Sequence, residues 1–276
     1  MRLSTFLQNG LIGATALVAA TTYVAKGHST PESAMAAPVA TYVTSAIAKT
    51  DPTTVATTPA TPAPNAISAE VDAALDALKS AVRPLSHPAA LEDAFKSYFA
   101  FRAAHREQVK KPYLYFVDYG LSNTTPRGYV FDMDKLAIVD GPFMVAHGRG
   151  SSKGDGVPTH FSNGFGAATT SLGLYVAQEL YNFVGHTGGS TYSSIGLRLQ
   201  GVSKGFNDNA RARGVVAHGA PYVTPSRAGR SEGCPAVDPA RAQRLLPKLA
   251  NGALVFLFAP DHSWLQHDPW FAGNAG

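Results

Sequence analysis

The chain has 276 residues, enough for one large or two small domains, and carries 23 basic against 19 acidic residues. This mild basic excess is scattered along the chain, which excludes the clustered patch that a nucleic-acid partner requires. No Gly-rich phosphate loop ending in Lys-Ser/Thr occurs, and Gly148-Arg149-Gly150 lacks a strand-turn-helix context, so no cofactor is implied.

Met1 and Arg2 precede an apolar, Ala- and Thr-rich stretch over 11–24, with no charge between Arg2 and Lys26. Residues 1–27 therefore read as a signal peptide, with Ala34-Met35-Ala36 as a small-x-small cleavage site, or as an uncleaved N-terminal membrane anchor. Either reading expects export to the periplasm or cell envelope, and the second adds contact with the inner membrane. Residues 28–66 are rich in Thr, Ala, Pro and Ser and nearly free of large apolar side chains, which predicts a disordered tether.

Residues 67–110 predict a helical lead-in. Val71, Ala74, Leu75, Leu78 and Val82 recur at helical spacing from Ser68 until Pro84. A second helix from near Pro88 to about Gln108 carries Leu91, Phe95, Tyr98 and Phe99 on one face. The main domain is expected over 111–265, with a tail at 266–276. Its first part alternates with period two over 113–119, 128–133 and 136–147, which predicts an antiparallel meander turning at Asp134-Lys135. Residues 148–166 read as a long functional loop or lid, 171–177 and 194–199 as further strands, and 214–218 as the strand that delivers His218. Asp238 and Pro239 then open a helix running to about Ala250 with Leu245, Leu246 and Leu249 inward, and 252–258 is a last buried strand. The fold class is mainly β with flanking helices.

Cys234 is the only cysteine, sixteen positions after His218, in Ser231-Glu232-Gly233-Cys234. A lone thiol in an exported chain has no internal disulfide partner, and an adjacent imidazole can take its proton and hold the thiolate as an ion pair. Gly219 lets the backbone pass close to the imidazole, and its carbonyl is placed to fix the tautomer; Gly233 permits a tight turn. Backbone N–H groups of Gly233 and Cys234 then supply an oxyanion hole for acyl transfer, with Ser231 orienting the histidine or binding substrate. Each residue alone is more ordinarily a buried small hydrophobe or a satisfied core histidine, and the joint pattern is what favours catalysis. His147, His160 and His186 lack the spacing of a zinc site, so no metal is expected.

The His-Gly followed by Ser-x-Gly-Cys resembles the signature of the YkuD-type L,D-transpeptidases, and more closely their murein L,D-transpeptidase catalytic domain branch. Further carrying segments are Val145-Ala146-His147-Gly148-Arg149-Gly150-Ser151, Phe161-Ser162-Asn163, and Gly205-Phe206-Asn207-Asp208-Asn209 with Arg211 and Arg213 following. The resemblance implies a β-sandwich-like catalytic domain with Cys234 as nucleophile, His218 as general base and Gly219 as its orienting carbonyl. It further implies a thioester formed on peptidoglycan tetrapeptide stems with release of D-alanine, an amine of a second stem as acceptor, and a carbapenem target; a monomer is expected. An L,D-carboxypeptidase, with water as acceptor, and a catalytically silent peptidoglycan-binding protein are the alternatives. The family pattern has His before Gly-Cys and an aliphatic-Arg pair after it, where this chain has Glu232, Pro235 and Ala236. Arg211, Arg213 and Arg230 are candidates to replace that arginine in substrate binding, together with Phe161, Ser162, Asn163 and His147.

Overall fold

A computed structural model describes residues 64–154 and 156–273. The signal-or-anchor segment 1–27 and the tether up to residue 63 lie outside the described residues. Helix α1 (Pro64–Leu78) starts on a proline, whose missing N–H costs nothing at a helix start, and ends in a 3-10 turn, Lys79–Ala81. Its Val71, Ala74 and Leu78 are buried along one stripe, as the spacing predicts. Helix α2 (Ala90–Ala104) buries Leu91, Phe95, Tyr98 and Phe99 against the sheet, and stops short of the expected Gln108.

Strands β1 (Tyr113–Asp118), β2 (Gly128–Asp132) and β3 (Ala137–Phe143) form the expected antiparallel meander. The two-residue strand β4 (His147–Gly148) follows, then β5 (Gly173–Thr187) and β6 (Ser190–Gly201). The chain continues through β7 (Val216–Gly219), β8 (Arg230–Ser231), β9 (Ala236–Val237), α3 (Pro239–Leu249), β10 (Leu254–Phe258) and α4 (His262–His267). Eight strands make one mixed sheet in the order β3-β2-β1-β10-β5-β6-β7-β9, and β4 pairs with β8 in a separate ladder. The domain is sheet-dominated with a few helices, the class read from the sequence.

Central β1 and β10 are buried along almost their whole length, because α2 packs on them from one side and both sheet edges are occupied. Three features differ from the sequence reading. The strands read at 171–177 and 194–199 are the ends of one long hairpin, whose outer half was hidden by its exposed polar residues. That hairpin turns at Gly188-Gly189, both with positive φ, 54° and 78°. Strand β10 inserts beside β1 in parallel, so the meander joins the rest of the sheet through the last strand of the chain. Packing also continues past residue 265, where Trp270 and Phe271 sit against the core beside fully buried Trp264.

Helix α3 follows the expected rule closely. The Asp238 carboxylate accepts from Arg241 N, Pro239 occupies the first turn, and Leu245, Leu246 and Leu249 are buried. The helix packs on β6 and β7 and so forms the support behind the histidine strand.

Candidate active site

The histidine reaches its position through two strand ladders. β7 pairs antiparallel with β6, setting His218 opposite Gly196, and parallel with β9, setting His218 beside Ala236. Val216 lies two residues earlier on β7, and its amide is directed at the Cys234 sulfur. The thiol thus lies against the strand that carries His218.

His218 is 2% exposed. Its ring stacks on Phe183 of the long hairpin, with centroids 4.1 Å apart at 23°, and its Nδ1 lies 3.1 Å from the Gly219 carbonyl oxygen. That oxygen can only accept, so Nδ1 carries the proton and Nε2 keeps its lone pair. Burial lowers the imidazole to about 4, partly offset by the Gly219 carbonyl, so the ring is neutral near pH 7. Gly219 is a glycine for lack of room: an added Cβ would lie 2.4 Å from Ser194 Oγ and 2.9 Å from Ala242 Cβ.

Cys234 is partly accessible at the edge of a hollow of about 370 Å³ that also contains Phe165, Ala168, Arg213 and Glu232. Desolvation pushes its thiol above the ordinary value, against the favourable Val216 amide and the charge of Arg213. Both partners are therefore neutral at rest, and the thiolate-imidazolium pair expected from the sequence is disfavoured by burial.

The turn carrying the thiol is braced from within. Ser231 Oγ donates to the Cys234 carbonyl at 2.7 Å and accepts from Gly233 N at 3.1 Å. The Gly233 N–H, expected as an oxyanion donor, is thereby engaged, and Ser231 bonds the loop rather than the histidine. Gly233 has φ of 127°, and a Cβ there would meet Thr169 O at 2.8 Å, which a side-chain-bearing residue cannot accommodate.

A second brace had no sequence signal. Buried Thr170 accepts from Gly148 N at 3.0 Å and donates to Gly233 O at 3.3 Å, so its hydroxyl ties β4 to the nucleophile turn. Its own N–H is held by Ser151 Oγ at 2.9 Å.

Several residues expected to touch substrate have side chains engaged with the framework. His147 is fully buried, bonded through Nδ1 to Arg127 and through Nε2 to Ser152, so it does not line a cleft. The guanidinium of Arg213 donates to Ser162 O, Ala167 O, Thr169 O and Ser171 Oγ, clamping the loop that walls the Cys234 hollow. Arg211 is turned to Glu179, at 2.7 and 3.3 Å, and holds that carboxylate below its usual range. Asn163 bonds Asp208 and Asn209, and with Phe161 and Ser162 it lines a different hollow beside Phe206 and Trp264. Arg230 is exposed on β8, next to the nucleophile turn.

The family model described as "L,D-transpeptidase catalytic domain" matches residues 84–258. Solved structures that the chain matches include an L,D-transpeptidase from Mycobacterium smegmatis, at 14% identity over 54% of this chain and 59% of that one, with TM-score 0.33. Another, from Xylanimonas cellulosilytica, shows 15% identity over 54% and 61% of the two chains, with TM-score 0.32. A third, from Mycobacterium tuberculosis, shows 16% identity over 53% and 57%, with TM-score 0.30. The chain thus spans less than two thirds of the length of each of these structures. No curated protein matches it.

Proposed function

Because the chain belongs to the L,D-transpeptidase catalytic domain family, we propose that it is an exported cysteine acyltransferase acting on the tetrapeptide stems of peptidoglycan through a thioester at Cys234. The observation that carries this reading is the Val216 amide of the His218 strand directed at the Cys234 sulfur, with Nδ1 of the histidine pinned by Gly219. Pinning Nδ1 leaves Nε2 as the ring's acceptor, and burial keeps it unprotonated.

In the acylation step, Nε2 takes the thiol proton as the sulfur attacks the carbonyl carbon of the scissile amide. Transfer within the attack suits two groups that burial keeps neutral, since no ion pair has to persist at rest. With the Gly233 N–H engaged by Ser231, the Cys234 N–H is the remaining turn donor for the oxyanion. Collapse breaks the C–N bond, His218 returns the proton to the leaving amine, and D-alanine departs. The thioester carbon then takes the second nucleophile, and the sulfur recovers its proton through the same ring.

The test is direct. Wild-type chain and Cys234→Ala are incubated with a tetrapeptide stem, and D-alanine release is followed. Release by the wild type alone supports the reading; equal release by the variant overturns it.

A further inference from the structure

Two hollows adjoin the nucleophile turn, and the Arg149–Glu232 ion pair, 2.7 Å long, joins their walls. Glu232 lines the hollow that contains Cys234. Arg149 lines the other, an open cleft of about 500 Å³ that it shares with Arg227, Arg230 and the side chains of Tyr222 and Thr224. All three arginines are exposed, and among the described residues no acidic side chain lines this cleft. Arg149 uses only its Nε on Glu232, so its terminal nitrogens remain available. Arg230 makes no ion pair among the described residues and belongs to β8, whose next residue, Ser231, bonds the Cys234 carbonyl.

A transfer enzyme must seat two molecules at one thioester. The donor's scissile amide has to lie in the hollow that contains Cys234. The second hollow holds no nucleophile, yet it begins one ion pair away and concentrates guanidinium groups, whose planar forks match carboxylates in a bidentate manner. We propose that Arg149 and Arg230 in this cleft bind the carboxylates of an acceptor peptide whose primary amine resolves the thioester. This rests on the acyltransferase reading above. In the step it serves, the neutral amine attacks the thioester carbon, the C–N bond forms and the C–S bond breaks. The amine's proton passes by way of His218 to the sulfur, restoring the thiol.

The experiment uses the whole chain with a tetrapeptide donor and two acceptors, a stem peptide with free carboxylates and the same peptide amidated at each. The acyl-enzyme is read by intact mass and its products by chromatography, giving a ratio of transfer to hydrolysis. The proposal expects a ratio at least tenfold higher for the carboxylate acceptor, falling with added salt. It also expects Arg230→Glu to erase most of that preference while the adduct at Cys234 still forms. An equal ratio for both acceptors, or a preference untouched in Arg230→Glu, overturns it. Calorimetry of the carboxylate peptide on Cys234→Ser reads the cleft without turnover: weakening of about tenfold by Arg230→Glu supports the site, and identical binding removes it. Absence of any acyl-enzyme in the wild type overturns the acyltransferase reading itself, and the acceptor role with it.

Discussion

Replacing Gly219 with alanine tests whether close packing against α3 holds the histidine in place. The new Cβ would lie 2.4 Å from Ser194 Oγ, 2.9 Å from Ala242 Cβ and 3.1 Å from Pro239 Cα. Ser194 can turn away, since its hydroxyl has no hydrogen-bond partner among the described residues. Ala242 and Pro239 belong to the first turns of α3, so they can retreat only if the helix moves. Overpacking of this kind costs about 1–3 kcal/mol, which for a domain of this size lowers the unfolding midpoint by roughly 2–12 °C. The catalytic effect is of similar size in free energy and adds to the stability effect. Displacing the Gly219 carbonyl loosens its 3.1 Å contact with His218 Nδ1, and misplacement of a reacting group by about 1 Å costs on the order of 100-fold in rate. Thermal unfolding followed by fluorescence and the rate of carbapenem acylation followed by mass measure the two effects separately. Adding Ser194→Gly recovers only the share owed to the hydroxyl. An unchanged midpoint with acylation within twofold of wild type would refute the reasoning.

Three further outcomes follow from the geometry. His218 titrates near 4 in the folded chain against 6.5 ordinarily, so the unfolded state binds more protons between those values and the stability it contributes above pH 6.5 is lost as pH falls through that window. Compared with His218→Gln in urea titrations, the wild type should lose roughly 2–3 kcal/mol more on going from pH 7.5 to 4; parallel pH profiles would contradict the buried neutral ring. Thr170→Val removes the hydroxyl between Gly148 N and Gly233 O and should cost about 1–3 kcal/mol, with the acylation rate lowered and largely restored in Thr170→Ser. Arg213→Gln frees the carbonyls of Ser162, Ala167 and Thr169, so hydrogen exchange should rise within 162–171 while helix α2 stays protected.

Much of this was legible in the sequence where local chemistry decides the structure. The Asp238-Pro239 start of α3, the meander with its Asp134-Lys135 turn, and the His-Gly and Gly-Cys segments all follow from capping, period two and turn residues. What escaped depends on pairing across long separations. The outer part of the β5–β6 hairpin carries polar residues on both faces, Asn182 and Ser193 on one and Ser194 on the other, so its period-two signal fades; Gly188-Gly189 is the available cue. The parallel seat of β10 beside β1 has no local signature at all. The partners of several site residues escaped for the same reason. His147, Arg211 and Arg213 were read from their charge and position in the motifs, whereas their partners Arg127, Glu179 and the 162–171 carbonyls become visible only once the chain has folded. Phe183, which stacks on His218, lies thirty-five residues from it in sequence, as 218 minus 183.

The central claim is that Cys234, served by His218, forms a covalent acyl intermediate. Intact mass spectrometry of the wild type, Cys234→Ser and His218→Gln after incubation with a carbapenem measures it most directly. The account predicts one adduct per chain in the wild type, none in Cys234→Ser and a markedly slowed adduct in His218→Gln. An adduct of equal size and rate in Cys234→Ser would contradict it.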